Sequence, residues 1–284
     1  MSPAVNKFGV KNLLDSLDAW QVVCLMTLFT LLTFNGLNKQ IEIIYGCVFV
    51  FAAIFRGVLD KDLFWFVILL LVLMPAVIDW WSLGGHAFLL LYWIIAIFLS
   101  FFSKDRLNFI SKAGQYLIGC AFLFAAVWKF VSPEFVGGDV MKYFMTTTVP
   151  MGVTTSPFTG LDRYSLSVNI RNINQLLLQD STQTVKLVGR FNVDRPAELF
   201  TMATQFIELM IASVFIVPTP SKWLFIREIL LISFFLTAYI IMPVPGFAVL
   251  FSCIGFVFSR SSYSKLFFLA AFFIWQIFTL PFLE

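Results

Sequence analysis

Charged residues are scarce in this sequence. Only 12% of its 284 residues are Asp, Glu, Lys or Arg, and 60% are hydrophobic, whereas soluble domains carry about 25% charged residues. No segment stays polar for long enough to form a large soluble domain. The net charge of +3 comes without an arginine-rich patch or a nucleic-acid motif, which argues against nucleic acid as a partner. The composition therefore predicts an integral membrane protein built of helices.

Histidine and cysteine are also rare. The chain has one histidine, His86, and four cysteines, none of them in a CxxC pair. Haem or zinc ligation by several histidines is excluded. A thiol–disulfide membrane enzyme is disfavoured, because it needs two nearby thiols at an accessible end. A phosphate-binding glycine loop, a GxSxG elbow and paired aspartates are absent too. Any chemistry must therefore come from isolated polar residues in apolar helices.

Apolar segments follow one another closely along the whole chain. Each has roughly the 20 residues that a bilayer requires, so residues 1–284 are predicted to form a single all-α, polytopic membrane domain of about nine transmembrane helices. Residues 1–19 do not look like a cleavable signal and are expected to lie on the membrane surface as an amphipathic helix. The nine segments lie near 20–37, 41–59, 63–81, 86–103, 109–131, 198–217, 223–242, 245–259 and 264–282.

Basic residues are distributed unevenly between alternate connections. With the N-terminus inside, the inner segments carry eleven Lys or Arg, and the short outer loops carry only Lys39. This bias predicts that the N-terminus is inside, and that the C-terminus and the long loop 132–197 are outside. Within that loop, Arg163–Arg171 alternates as a strand does, 173–179 looks helical and 185–193 is a second candidate strand. Without a core of its own, the loop is expected to fold against the membrane.

A single lysine interrupts the end of the fifth apolar segment. Sixteen uncharged residues, 113–128, precede Lys129, and Ser132-Pro133 predicts the end of the helix just after it. An ammonium at this depth is costly, so Lys129 is either a functional residue or a snorkelling anchor at the membrane edge. Small residues on its helical face leave room for a ligand or another helix. The candidate ligand-binding residues on this face are Phe122, Ala125 and Ala126.

Glu208 lies about ten residues into the sixth apolar segment, in TQFIELM. Its predicted depth is near the middle of the membrane, where a carboxylate must be protonated or paired. Lys129 lies nearer the surface, so a direct pair requires a tilt or a water molecule, and Gln205 is a candidate bridge. Alternatively, Glu208 binds hydroxyls such as those of Ser233 or Thr237 and only holds the helices together.

Asp79 and His86 bracket the second outer turn, in the run DWWSLGGH. Both are candidate ligand-binding residues and are expected to face the same leaflet as Lys129. A Lys–His–Asp grouping can do acid–base chemistry. The alternative is an ordinary polar turn, with Trp80 and Trp81 in the interfacial aromatic belt.

The stretch WKFVSPEFVGGDVM, preceded by GCAFLFAA, resembles the HTTM proteins. These are membrane domains related to the vitamin K-dependent gamma-carboxylase. The shared pattern is a lysine, an acidic or proline residue, an aromatic residue and a glycine. The later run from IELM to AVLF is similar as well, with an acidic helix, a basic turn and a further apolar helix. The resemblance covers about residues 110–260.

The resemblance implies a catalytic role for Lys129 as the base towards a reduced quinone. An amine in apolar surroundings can lose its charge and act as a base. Glu208 would be its proton partner, and an isoprenoid quinone would be the cofactor. However, this chain has Phe234-Phe235 where the family has Phe-His, and it lacks the large lumenal domain that binds substrate peptides.

These differences favour the role implied by bacterial members of the family that lack that domain. Such a protein is a membrane subunit or maturation factor in the bacterial inner membrane, with a lipid- or quinone-type pocket near Lys129. It would bind a secreted peptide or a membrane-protein partner at loop 132–197. The enzyme and the maturation factor both remain open. A transporter is disfavoured, because the sequence shows no repeat and few intramembrane charges.

Overall fold

The computed structural model describes residues 18–33, 39–78, 80–81, 83–178, 186–189, 191–218, 223–242 and 244–279. Over these residues the regular structure is helical and no strand occurs. The predicted all-α class is thereby confirmed. Asp79 lies outside the described residues. So does the amphipathic helix predicted over residues 1–19, except for its last two residues.

A helix occupies each of the nine predicted apolar segments. The first five helices are α1 (Ala19–Thr33), α2 (Lys39–Ile54), α3 (Asp62–Ile78), α4 (Gly85–Ser100) and α5 (Arg106–Val131), with a 3-10 turn at Arg56–Asp60. Segment 132–197 contains α6 (Pro133–Val136), α7 (Asp139–Thr147), α8 (Val149–Thr159) and α9 (Arg163–Leu178), and it ends just inside the next helix. The last four helices are α10 (Asp194–Ile216), α11 (Phe225–Ile241), α12 (Pro245–Phe258) and α13 (Ser262–Thr279).

Two of the described helices, α5 and α10, are long and apolar enough to cross a membrane, with 26 and 23 residues. Only 28% and 33% of the residues in their most apolar stretches are buried. The core helix of a soluble protein would bury most of such a stretch. The side chains left exposed include Phe124 and Trp128 on α5 and Met202 and Phe206 on α10.

The chain divides into two compact units. The first comprises Met1–Ile118, Pro218–Ile232 and Val244–Glu284, and the second comprises Gly119–Val217 and Ser233–Pro243. The division falls within α5 and α11, so each of these helices contributes residues to both units.

Helix α12 forms the centre of the first unit. Eleven of its fourteen residues are buried, and it packs against α13, α1 and α4. Polar contacts join three of these helices: the indole N–H of Trp93 donates to Oγ1 of Thr27 at 2.9 Å, and that oxygen lies 3.6 Å from Sγ of Cys253. These contacts satisfy polar groups in an otherwise apolar core.

Five helix ends meet at one side of the first unit. The backbone carbonyl of Leu59, between α2 and α3, accepts hydrogen bonds from the indoles of Trp20 and Trp65 at 3.3 and 3.0 Å. The guanidinium of Arg106 lies over the rings of Phe101 and Trp20, at 4.2 and 5.6 Å from their centroids. The starts of α1, α3 and α5 therefore lie beside the ends of α2 and α4, as expected for helices that alternate in direction.

Segment 132–197, in the second unit, has an apolar cluster of its own. Met141, Met145, Met151 and Ala197 are buried together, which differs from the expectation of a loop without a core. Gly138 joins α6 to α7 with a φ of 73°, and a Cβ there would lie 3.3 Å from the backbone nitrogen of a residue in α10. Only glycine adopts this conformation without strain at so close an approach.

The strand predicted over Arg163–Arg171 is wrong, because these residues belong to α9. The buried side chains of Ser165, Leu166 and Asn169 share one helical face. A run of this length can fit both the alternating pattern of a strand and the period of an α-helix. The Asp162 carboxylate accepts a hydrogen bond from the backbone N–H of Ser165 at 2.9 Å and caps the helix.

The other two expectations for this segment have different outcomes. The helix predicted over 173–179 is confirmed as far as Leu178. The second strand predicted over 185–193 is wrong for its described residues, 186–189 and 191–193, which have no regular structure. Asn169 holds this segment instead, donating to the backbone carbonyl of Val188 at 3.2 Å and accepting from its N–H at 2.7 Å.

Candidate functional site

Helix α5 ends at Val131, as the Ser132-Pro133 pair predicts. In a continuous α-helix, the backbone carbonyl of Lys129 would accept a hydrogen bond from the N–H of residue 133. Pro133 has no N–H. The side-chain amide of Gln205, on α10, donates to this carbonyl instead, at 2.8 Å. The proline thus leaves an acceptor that α10 satisfies.

Glu208 lies one turn after Gln205 on α10, and its Oε1 accepts a hydrogen bond from Nζ of Lys129. The pair is direct, whereas the sequence suggested that a tilt or a bridging water would be needed. Gln205 binds the backbone of Lys129 rather than bridging the two charges. The hydroxyl of Thr237 donates to the backbone carbonyl of Ser233 at 2.8 Å, and the side-chain partner of Glu208 is Lys129.

The predicted face beneath Lys129 is largely packed within the second unit. Ala126 and Phe122 are buried, and Ala125 is partly exposed. The Phe122 ring meets the Phe234 ring edge-on, with centroids 4.8 Å apart. These contacts use part of the space that the small residues were expected to leave, and direct ligand contact by the three residues stays a prediction.

The ammonium of Lys129 is bounded on another side by an aromatic ring. Its Nζ lies 5.7 Å from the centroid of Phe135, in the short helix α6. A cation over a ring face at this distance is attracted by the ring quadrupole. The side chains of Lys129 and Glu208 are 13% and 12% exposed, so the ion pair lies just beneath the surface of the second unit.

A polar stripe runs along the buried face of α10. Thr201, Gln205 and Glu208 are spaced by four and three residues, so their side chains share one side of the helix. Two buried oxygens of this stripe, Oγ1 of Thr201 and Oε2 of Glu208, have no hydrogen-bond partner among the residues that the structure describes. Such a group costs about 1–3 kcal/mol when buried. Thr201 was not identified from the sequence, although the spacing of the three residues was a usable signal.

Tyr239 is a further buried polar residue near this stripe. It lies on α11, is 4% exposed, and is near Glu208. The rings of Phe234 and Phe235 meet its ring edge-on, each with centroids 5.0 Å apart. Tyr239 was also missed in the sequence, where it is a single tyrosine in an apolar run.

His86 lies in the first unit, near the start of α4. Its imidazole meets the ring of Phe247 edge-on, with centroids 6.0 Å apart. Its partner in the predicted acid–base grouping, Asp79, falls outside the described residues, so that grouping stays a prediction. Among the residues that the structure describes, no three His, Cys, Asp or Glu side chains are grouped to hold a metal ion.

The site thus combines a charge-balanced pair with a free acceptor. The ammonium of Lys129 neutralises the carboxylate of Glu208, and a proton can pass between Nζ and Oε1 along their hydrogen bond. Oε2 of Glu208 remains available to a hydrogen-bond donor. The chain matches no family model, no curated protein and no solved structure with which it was compared.

Proposed function

We propose that the chain is an integral membrane protein that crosses the bilayer about nine times. The exposed apolar surfaces of α5 and α10 support this proposal, because only about a third of each most apolar stretch is buried. The meeting of five helix ends beside Leu59 supports alternating spans. The uneven distribution of basic residues supports an orientation with these ends inside and the C-terminus outside. The membrane in this proposal is a bacterial inner membrane.

Within that membrane, the protein acts as a subunit or maturation factor for a secreted or membrane partner and carries a site for a lipid- or quinone-type ligand. The observation that carries this proposal is the buried Lys129–Glu208 pair, of which one carboxylate oxygen has no partner. A pair that served only to hold two helices together would need no free acceptor. Charged residues inside a membrane segment commonly mark a functional site.

Segment 132–197 supplies the surface for the partner in this proposal. Its helices expose large apolar side chains, and contiguous apolar surface commonly marks interaction sites. Its buried methionine cluster packs these helices against one another. The exposed side chains on the helices are Val136, Tyr143, Val149, Phe158 and Tyr164.

The pairing of Lys129 with Glu208 also bears on the choice between a subunit and an enzyme. A base must be neutral before it accepts a proton, and the adjacent carboxylate stabilises the charged ammonium. This favours a binding role in the resting protein.

The alternative is a carboxylase-like enzyme. The hydrogen bond between Lys129 and Glu208 supports it if a proton passes along this bond during the reaction. In that case Lys129 first passes its proton to Glu208 through their hydrogen bond. The neutral amine then takes a proton from the hydroxyl of a reduced quinone or another lipid-soluble substrate, and the substrate keeps the electron pair of the broken O–H bond.

Purification in a mild detergent tests the proposed role. We expect an apolar small molecule to co-purify with the wild-type protein, as detected by mass spectrometry of an organic extract. It should be lost from the double variant Lys129→Met/Glu208→Met, since replacing both members of a buried ion pair with apolar residues often leaves a protein folded. Lys142→Met is the matched control, because Lys142 pairs with Asp139 and Asp194 on an exposed surface. An extract with no apolar molecule, or with equal amounts from all three proteins, would contradict the lipid site.

A further inference from the structure

We infer that Oε2 of Glu208 binds the hydroxyl group of a neutral, lipid-soluble ligand. This inference rests on the proposed membrane site at the same residues and names the chemistry of its ligand. It starts from an imbalance: Oε1 of Glu208 is bonded to Lys129, while Oε2 is buried and has no donor in the described part of the chain. A buried acceptor without a donor is rare, because it loses its hydration without compensation.

The first step concerns hydrogen-bonding direction. An ionised carboxylate only accepts hydrogen bonds. A ligand group that binds Oε2 must therefore donate a hydrogen bond to it, and a carbonyl or ether oxygen cannot do so. The hydroxyl of Thr201, two turns earlier on the same face, is likewise buried without a partner. The shortage of partners thus extends along the stripe and is not confined to a single atom.

The second step concerns charge. Lys129 and Glu208 neutralise each other in a site whose side chains are only 12–13% exposed. An anionic ligand would be repelled by the carboxylate at Oε2, and a cationic ligand would compete with Lys129 for Glu208. Transfer of a charged group into such surroundings is also costly. A neutral hydroxyl satisfies Oε2 without disturbing this balance.

The third step concerns the route to the site. The residues around Glu208 on α10 expose large apolar side chains, namely Phe206, Ile207, Leu209 and Met210 at 62%, 44%, 37% and 48%. A ligand that carries a long apolar chain can lie along this surface while its polar head reaches the ion pair beneath. The surface therefore favours an amphiphile over a water-soluble alcohol.

Two probes that differ only in the donor test this inference. One is a phenol with a twelve-carbon alkyl chain, and the other is its methyl ether, which has the same chain and ring but no O–H. In lipid nanodiscs, the wild-type protein should bind the phenol at least about tenfold more tightly than the ether, the discrimination given by one hydrogen bond of about 1.4 kcal/mol to a charged group.

The variants assign this preference to Glu208. The double variant Lys129→Met/Glu208→Met should bind the phenol and the ether about equally. Circular dichroism checks that its helices remain folded. Glu198→Gln, whose side chain is exposed near the start of α10, is the matched control and should keep the full preference. Equal binding of the two probes to the wild type, or a preference that survives in the double variant, would overturn the inference.

The two proposals can fail separately. If both probes bind the wild type equally, an apolar site exists but its polar contact is not a hydroxyl donor, so only the inference fails. If neither probe binds, the inference fails as well, and the co-purification experiment decides independently whether a lipid ligand is present.

Discussion

Gln205 donates its side-chain amide to the backbone carbonyl of Lys129, which is the carbonyl that Pro133 leaves without an N–H donor. This bond holds α10 against the end of α5 one turn before Glu208. The position of the ion pair therefore follows from a helix terminator as well as from the attraction between two charges. The bond from Gln205 thus brings the two helices together beside the lysine and the glutamate.

We expect Gln205 and Pro133 to be energetically coupled. Gln205→Leu leaves the Lys129 carbonyl buried without a donor and should lower stability by about 1–3 kcal/mol. In a Pro133→Ala background the new N–H can donate to that carbonyl, so the same change should cost less. Thermal unfolding in detergent of the four proteins gives the coupling energy, which we expect to be about 1 kcal/mol. Additive effects would show that the amide does not replace the missing N–H.

Lys129→Arg separates a base from an anchor. Arginine can keep the ion pair with Glu208, but it cannot lose its proton. If Lys129 binds or anchors, the arginine variant should retain its ligand and its genetic phenotype, and Lys129→Met should lose both. If Lys129 is a base, both variants should lose the phenotype while Lys129→Arg still inserts and melts like the wild type. A complementation assay together with thermal melting distinguishes these outcomes.

Glu208→Gln and Glu208→Leu should differ in stability. Glutamine keeps an oxygen that accepts from Lys129, so the melting temperature should fall only slightly. Leucine removes the acceptor and leaves the ammonium buried and unpaired, which typically costs about 3–5 kcal/mol. Melting in the same detergent measures both variants. Equal melting temperatures for wild type and both variants would show that the pair does not contribute to the packing of α5 and α10.

Thr201→Val should stabilise the protein when no ligand is present. Valine has nearly the same shape and removes the buried hydroxyl that has no partner, so we expect a gain of about 1 kcal/mol. Thr204→Val is the matched control, because the Thr204 hydroxyl donates to the backbone carbonyl of Thr201 at 2.9 Å and its loss should destabilise slightly. A destabilised Thr201→Val would mean that this hydroxyl has a partner in solution.

Cysteine labelling tests the proposed orientation. The exposed Cys47 and Cys120 are first replaced by serine, while Cys24 and Cys253 are buried. A cysteine at Ser167 should then react with an impermeant reagent on intact cells, because segment 132–197 is proposed to be outside. A cysteine at Ser103 should react only after permeabilisation. The opposite pattern would reverse the orientation.

The places of the helices in the nine apolar segments were predictable, because long apolar runs bounded by proline, glycine and charge leave little choice. The three short helices α6, α7 and α8 were not predicted. The strand predicted at Arg163–Arg171 failed, because alternation over nine residues also places Ser165, Leu166 and Asn169 on one helical face. Local pattern could not decide between the two periods. The contacts that decide are the cap at Asp162 and the packing of α9 on α7 and α8.

The two charges of the site were predictable, but their direct contact was not. Counting residues inward from each helix end places Lys129 and Glu208 at different depths, since it takes no account of how α5 and α10 approach each other. The approach depends on Gln205 and Pro133, whose relation appears only when the missing donor at residue 133 is considered. Thr201 and Tyr239 are uncharged and stand in apolar runs, so nothing in the composition marks them as neighbours of Glu208.

Helix α12, the buried centre of the first unit, is synthesised long after α1 and α4, two of the helices against which it packs. Helix α4 ends at Ser100 and α12 begins at Pro245, which at 5–20 residues per second is a delay of roughly 7–30 s. The whole of Gly119–Val217, which belongs to the second unit, leaves the ribosome in this interval. Until α12 arrives, the part of the α1 surface that packs on α12 is open. In the proposed membrane, lipid or the insertion machinery would cover this surface, and a chain truncated before α12 would lack the buried centre of the first unit.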